Sequence, residues 1–225
     1  MMLYDLHTHT FHSDGVLSPL EMINRAVVGG YAAIGITDHV ALGSLERMIS
    51  ELREDCALAR RYWSINAIPG VELTHLPPDA IHSVAEAARE LGAMLIVVHG
   101  ETIQEPVPRG TNLAALNCPF VDILAHPGLL TQDEAALAAK NGKYLELSAR
   151  RGHRDTNGHV AQMAMQAGTK MLVNSDAHNE DNLLTLEIAE EVLQSASAIH
   201  LRDEILLQNP QALIQKIMAR IDELR

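Results

Sequence analysis

The sequence predicts an α/β protein, a distorted seven-stranded (β/α)7 barrel of TIM-barrel-like form, and three observations carry that expectation. Short apolar or β-branched runs alternate with helical stretches along the whole chain, which is the pattern of parallel βα units. The runs are hydrophobic almost without interruption, as strands covered on both faces must be. The length of 225 residues suits seven units of roughly 30 residues and falls short of the ~250 typical of eight.

Strands are expected at 3–6, 32–37, 67–73, 94–98, 121–125, 144–147 and 171–174. Between them, Ser18-Pro19-Leu20-Glu21 offers a hydroxyl cap, a proline at the first helical position and a glutamate placed to complete a capping box. Thr131-Gln132-Asp133-Glu134 repeats that logic, and Gly92, Gly142 and Gly168 fall where helices should stop. The tail from Asn182 reads as helical, interrupted at Pro210. No linker, low-complexity tract or charge run divides the chain, so residues 1–225 are expected to form one domain.

With 47% apolar and only 3% aromatic residues, the core must be aliphatic. Seventeen basic against 29 acidic residues leave a formal net charge of -12. That disfavours sequence-blind nucleic-acid binding, which needs a positive field. Two cysteines, Cys56 and Cys118, read as reduced thiols in a cytoplasmic protein. No basic-then-apolar leader opens the chain, and no run reaches the ~20 apolar residues that span a bilayer, so no membrane partner is expected.

The twelve histidines carry the chemistry. Most expected strands run into a potential ligand: Asp5-Leu6-His7-Thr8-His9 then Ser13-Asp14-Gly15, Thr37-Asp38-His39, Gly70-Val71-Glu72, His99-Gly100-Glu101, Ala125-His126-Pro127 and Ser175-Asp176-Ala177-His178. The carboxyl ends of parallel barrel strands converge on one face, where barrel enzymes place their active sites. Residues two apart on extended backbone point the same way, so His7 and His9 can grip one ion. Mixed imidazole and carboxylate donors suit zinc, manganese or iron, and the donors outnumber what one four-coordinate ion uses. Two to three divalent ions are implied. Any one of these pieces is weak, since a single histidine at a strand end is more often a hydrogen-bonded core residue. Recurrence on one alternating pattern is what lifts them. His82 and His200 read as surface residues, and His12 as a poorer ligand than its neighbour Asp14. His75, His153 and His159 are expected in loops on the active face.

Taken together, these motifs resemble the PHP family, named for polymerase and histidinol phosphatase, over nearly the whole chain. The resemblance implies a trinuclear centre. The first ion would take His7, His9, Glu72 and Asp176, the second Glu72, His99 and His126, and the third Asp14, His39 and His178. Glu72 would bridge, and Glu72, Asp176 and His178 would be catalytic. Asp14 fills a position where some members carry a histidine one or two residues later. Asp5 and Asp38 adjoin ligands and would orient them; Glu101 lies outside the family pattern and reads as an orienting or substrate contact.

The expected reaction is hydrolysis of a phosphate ester on a small phosphorylated metabolite or nucleotide by a metal-activated water. Three divalent ions would outweigh the charges of Asp14, Glu72 and Asp176 and leave a local positive field for phosphate. Arg150 and Arg151 are the expected phosphate clamp, with Arg109 less well placed. A 3′–5′ exonuclease ranks second, because few aromatics are present to stack bases. A non-catalytic RNA-binding subunit of ribonuclease P type ranks third, since a scaffold has no need of the whole ligand set. A lysine-bridged amidohydrolase is disfavoured by the absence of any lysine before Lys140.

Overall fold

The computed structural model describes residues 2–223. In chain order its strands are β1 (Leu3–Thr8), β2 (Tyr31–Ile36), the two-residue β3 (His39–Val40), β4 (Asn66–Leu73), β5 (Leu95–His99), β6 (Ile123–Ala125), β7 (Tyr144–Ser148) and β8 (Met171–Asn174). The helices are α1 (Pro19–Val28), α2 (Leu45–Tyr62), α3 (Ile81–Glu90), α4 (Thr111–Asn117), α5 (Gln132–Lys140), α6 (Asn157–Ala167), α7 (Leu186–Ser195) and α8 (Asn209–Glu223). Seven strands pair in parallel in the order β1-β2-β4-β5-β6-β7-β8. The barrel is nearly closed. Between the two end strands, the Asp176 and His9 N–H groups donate to the carbonyls of His7 and Ala177 at 3.0 and 2.8 Å.

The short strand β3 is the element the sequence does not announce. It pairs with β4 through His39 opposite Glu72, in the same register as Ile36 opposite Pro69. β2 and β3 are thus one strand interrupted at Thr37-Asp38, where Asp38 turns away to serve another loop.

Alternation sorts the strands into two surfaces. The outward set, with Ile34, Val71, Ile96, Val98, Leu124, Leu145 and Val173, packs under the helices. The inward set, with Ile68, Leu95, Val97, Ile123, Tyr144 and Leu172, fills the lumen. Leu213, Ile214 and Ile217 of α8 plug its lower end, each contributing about 1.5–3 kcal/mol by burial. Continuing the inward rows of β4, β5, β7 and β8 upward by twos arrives at Glu72, His99, Glu146 and Asn174, so a dry apolar lumen gives way to polar groups at its carboxyl end.

Most start and stop signals act as expected. Ser18 and Thr131 cap their helices, and Thr131 with Glu134 forms the full reciprocal box. At Ser18 only half of that box is made, because Glu21 pairs with Arg25 one turn on, at 3.4 Å, instead of reaching back. Gly92, Gly142 and Gly168 all have positive φ. Pro210 stands in the first turn of α8, directly after a π-helical turn at Glu204–Gln208, so it starts the last helix rather than breaking it. Among the described residues, no helix is long and apolar enough to cross a membrane.

Candidate metal centre

The first strand supplies two ligands through a local irregularity. Asp5 pairs with Ile34 but Thr8 with Ile36, a one-residue shift that bulges β1 between them. The bulge turns His7 into the cluster although Leu6 already lies in the lumen core. The Leu6 N–H donates to Asn174 Oδ1 at 2.9 Å, tying the bulged strand to β8. Next comes the loop carrying Asp14, tied down by Asp38, which accepts from Thr10 N–H, Thr10 Oγ1 and Ser13 Oγ at 2.7, 2.8 and 2.6 Å. Gly15 completes the turn because a Cβ there would sit 2.3 Å from the His9 carbonyl oxygen. Asp5 acts similarly, accepting from Ser175 N–H at 3.0 Å and so joining the first strand to the loop after the last.

Glu72 is central. Its Oε1 lies 3.5 Å from His7 Nε2, 3.5 Å from His99 Nδ1 and 3.6 Å from His126 Nε2. Its Oε2 lies 3.7 Å from His9 Nε2 and 2.6 Å from His39 Nδ1, whose hydrogen-bond partner is Thr74 Oγ1 at 2.6 Å. Asp176 Oδ1 lies 3.2 Å from His9 Nε2 and 3.9 Å from His7 Nε2. Asp14 reaches His178 Nε2 at 3.1 Å and His39 Nε2 at 3.5 Å. All nine expected ligands therefore come together at the carboxyl end of the barrel, from β1, β3, β4 and β5 and from the loops that follow β1, β6 and β8.

Four sets of donors are close enough to share an ion: His7, His9 and Asp176; His7, Glu72 and His126; His9, Asp14, His39 and His178; and His126, His153 and Asp176. The donor chemistry fits divalent metal. Of the atoms that face the cluster, buried Glu72 Oε1, Asp176 Oδ2 and His99 Nδ1 have no hydrogen-bond partner, a cost of about 1–3 kcal/mol for each neutral group and more for charged ones. Two donors on one ion at 2.0–2.2 Å lie at most ~4.3 Å apart, which the distances above satisfy. His126 and Asp176 have φ of 29° and 54°, the left-handed region. Non-glycine residues held there cost roughly 1–3 kcal/mol and concentrate at functional sites.

The electrostatics point the same way. Burial opposes ionisation of Glu72, but His39 and His7 beside it hold its carboxyl well below the usual range. Burial is likewise overcome at Asp176, by His7 and His9, and at Asp14, by His178 and His39; both are lowered. Burial disfavours charge on His7, yet Glu146, Glu72 and Asp176 raise it well above an ordinary imidazole. His39 and His99 are raised despite burial, chiefly by Glu72. Burial lowers His9 to about 4 and, with His126 nearby, lowers His153 to about 3. Carboxylates this firmly ionised, with imidazoles drawn toward protonation, form a field that favours cations.

Two residues of the site go further than the sequence reading takes them: Glu146, which it does not single out, and His153, which it places only in a loop on the active face. Glu146 Oε2 accepts from His7 Nδ1 at 2.7 Å and from Asn174 Nδ2 at 2.9 Å. Since a carboxylate can only accept, this bond fixes the proton on Nδ1 and leaves Nε2 for the cluster. The signal was available, because Glu146 is a carboxylate inside an otherwise apolar strand. His153 is the other: it is 2% exposed and stacks on His126 with ring centroids 4.3 Å apart. Of the other loop histidines, His75 is exposed with its ring 5.7 Å from that of His99, while His159 lies on α6 and bonds the Leu130 carbonyl. His82 and His200 are exposed as expected, and His12 pairs with Glu51 at 3.3 Å.

The arginines separate clearly. Arg150 Nη1 lies 3.3 Å from Asp176 Oδ1 and 3.0 Å from His178 Nε2. Arg151 is exposed on the same turn. Arg109 and Glu101 border a separate cleft of about 360 Å³. Glu101 Oε1 accepts from the Gly110 and Asn112 N–H groups at 2.8 and 3.1 Å, so it caps α4.

A parallel barrel with buried imidazoles and carboxylates gathered at its carboxyl end is the architecture of a metal-dependent hydrolase. The model of the PHP domain matches residues 5–199, and the chain belongs to the PHP family. It is 41% identical over 218 residues to the uncharacterized protein MJ1295 of Methanocaldococcus jannaschii, covering 96% of this chain and all of that one. It is 31% identical over 197 residues to the DNA polymerase/3′-5′ exonuclease PolX of Bacillus subtilis, covering 80% of this chain but 35% of PolX. A probable phosphatase of Thermoanaerobacter is 25% identical, with 87% of this chain and 86% of that protein covered. Among solved structures, a chain of archaeal ribonuclease P with mature tRNA aligns with a TM-score of 0.69 at 16% identity, over 98% of this chain and 92% of that one. The histidinol phosphate phosphatase of Lactococcus lactis, complexed with zinc, L-histidinol and phosphate, aligns with a TM-score of 0.60 at 14% identity, over 86% and 93%. At those identities the likeness is one of fold. Family and phosphatase relatives together support a phosphoesterase.

Proposed function

We propose that this chain, acting as a single domain, hydrolyses a phosphate ester of a small phosphorylated metabolite or nucleotide at a centre of two to three divalent ions. The observation that carries the reading is the set of partnerless buried donors around Glu72 and Asp176, with Arg150 beside them. Zinc, manganese or iron bound there would lower the pKa of a water and screen the phosphoryl charge. His7, His9, Glu72 and Asp176 would hold one ion, Glu72, His99 and His126 a second, and Asp14, His39 and His178 a third. Glu146 orients His7, and the Glu105 carbonyl, 3.2 Å from His99 Nε2, orients His99 by accepting from it. Arg150 is the phosphate clamp: its guanidinium turns from Asp176 to the phosphoryl oxygens. Arg151, exposed one residue on, would add charge at the rim.

The test is a panel of phosphorylated metabolites assayed with manganese, zinc or iron restored to chelator-treated protein. Hydrolysis should depend on added metal. Failure on every phosphate ester with metal bound would sink the reading.

The match to PolX favours a second reading, a 3′–5′ exonuclease. An exonuclease would prefer oligonucleotides to mononucleotides and lose that preference steeply with salt. The acidic chain, with its net charge of -12, ranks it second.

A further inference from the structure

We propose that His153 is a further metal ligand of this centre, sharing an ion with His126 and Asp176. This rests on the metal-dependent reading above and adds a donor that the nine-residue set leaves out. Three observations lead to it.

His153 belongs to one of the four donor sets compact enough for a single ion, with His126 and Asp176, all three buried. Its Nε2 stands 3.9 Å from Asp176 Oδ2, and His126 Nε2 stands 3.8 Å from that same oxygen. Both separations fall within the ~4.3 Å that two donors on one zinc-sized ion can span. Asp176 Oδ2 is itself buried and without a hydrogen bond.

The remote nitrogen of His153 is held as a ligand's would be. Metal-binding histidines usually donate their other ring N–H to a fixed acceptor, which sets the tautomer. His7 does so to Glu146, His99 to the Glu105 carbonyl and His178 to the Asp176 carbonyl. His153 Nδ1 lies 2.9 Å from Thr102 Oγ1. With Nδ1–H donating to that hydroxyl, Nε2 keeps its lone pair free between Asp176 Oδ2 at 3.9 Å and Glu105 Oε2 at 3.5 Å. His159, by contrast, spends its Nε2 on the Leu130 carbonyl at 2.6 Å, as a packing histidine does.

The backbone also commits His153 to this place. It opens a 3-10 turn after Gly152, whose φ is 92°. Arg150, two residues earlier, faces the other oxygen of Asp176. One loop therefore brings a cation to Oδ1 and an imidazole to Oδ2, and metal binding by His153 would fix the loop that carries the phosphate clamp.

The experiment measures Zn²⁺ affinity and stoichiometry by competition with a chromophoric chelator, and the visible spectrum of the Co²⁺-loaded protein, for the full chain and two variants. His153→Gln should weaken one Zn²⁺ site about a hundredfold and alter the Co²⁺ absorption. Thr102→Val, which removes only the orienting hydroxyl, should weaken the same site about tenfold. Unchanged Zn²⁺ affinity and Co²⁺ spectrum in folded His153→Gln would overturn the proposal. Should His153→Gln not fold by circular dichroism, Thr102→Val decides alone: about tenfold loss supports a ligand, and parental affinity overturns one. A parent chain that binds no metal would overturn the metal reading as a whole. A parent that binds metal alongside a variant of equal affinity overturns only the role of His153.

Discussion

The two ends of the barrel both bury charge, and they do it in opposite ways. At the amino end, Asp122 is 2% exposed and fully paired. It accepts from the Arg220 guanidinium at 2.8 Å, from Arg89 and from the Ile96 N–H at 3.1 Å. Lys143 beside it donates to the Cys118 and Val121 carbonyls at 2.6 and 2.7 Å. At the carboxyl end, Glu72 and Asp176 are as deeply buried, yet each keeps an oxygen with no hydrogen bond. A buried charge that the chain satisfies by itself is an internal brace. One left short amid convergent histidines is a charge the chain does not satisfy by itself.

The sharpest way to break that contrast is to remove Asp122. Asp122→Ala strands two arginines, and losing one partner of a buried pair costs about 3–5 kcal/mol. The lower end, about 3 kcal/mol, is expected because the Arg89 and Arg220 side chains are 14% and 26% exposed. A shifted urea midpoint with unchanged activity per folded molecule is the expected result. Lost activity at full stability would erase the distinction between the two ends.

At the other end the pattern should invert. His126→Ala and Asp176→Ala should each lower kcat about a hundredfold or more, roughly 2.7 kcal/mol, while the fold persists. Glu72→Gln should lower metal occupancy at two sites, since a neutral amide bridges cations poorly; elemental analysis reads this directly. Parental occupancy would remove Glu72 as the bridge. Arg150→Gln should reduce kcat/KM by about 1.5–3 kcal/mol without stripping metal, the worth of a charged hydrogen bond. Wild-type kinetics in that variant would take the clamp out of the proposed site.

The smallest effect is in pH dependence. Burial works against the Asp122 carboxylate, but Arg89 and Arg220 lower its pKa below the ordinary value. A group lowered on folding contributes stability above its unfolded pKa, about 4, and loses it as pH falls through the folded value. Stability should therefore fall below about pH 4, and Asp122→Asn should flatten that acid limb. A limb of the same slope in the variant would assign it to other carboxylates.

Much of this site was legible in the chain because barrel topology turns sequence position into spatial position. A polar residue ending an apolar run must lie at the carboxyl face, and this brought His7, Glu72, His99, His126 and Asp176 together on paper. Glu146 went unread although it stands on β7, because a single carboxylate inside an apolar run names no partner. His153 was read only as far as a loop on the active face, for a different reason. A loop residue has no periodicity to fix its direction, so only the turn after Gly152 shows that its ring meets His126. His9 belongs to two compact donor sets, one with His7 and Asp176 and one with Asp14, His39 and His178.

By itself the sequence determined the alternation of strands and helices, the inward and outward rows, and the residues that cap the carboxyl end. These follow from local rules, since side-chain direction on a strand repeats every two residues whatever the rest of the chain does. Tertiary structure alone decided which histidine nitrogen faces the cluster, which arginine reaches Asp176, and which buried charges are paired. Those depend on the bulge in β1, on the continuation of β2 as β3 opposite Glu72, and on contacts between residues more than a hundred positions apart, such as His7 with Glu146. No local propensity encodes a distance of that kind; only the closed packing of the barrel does.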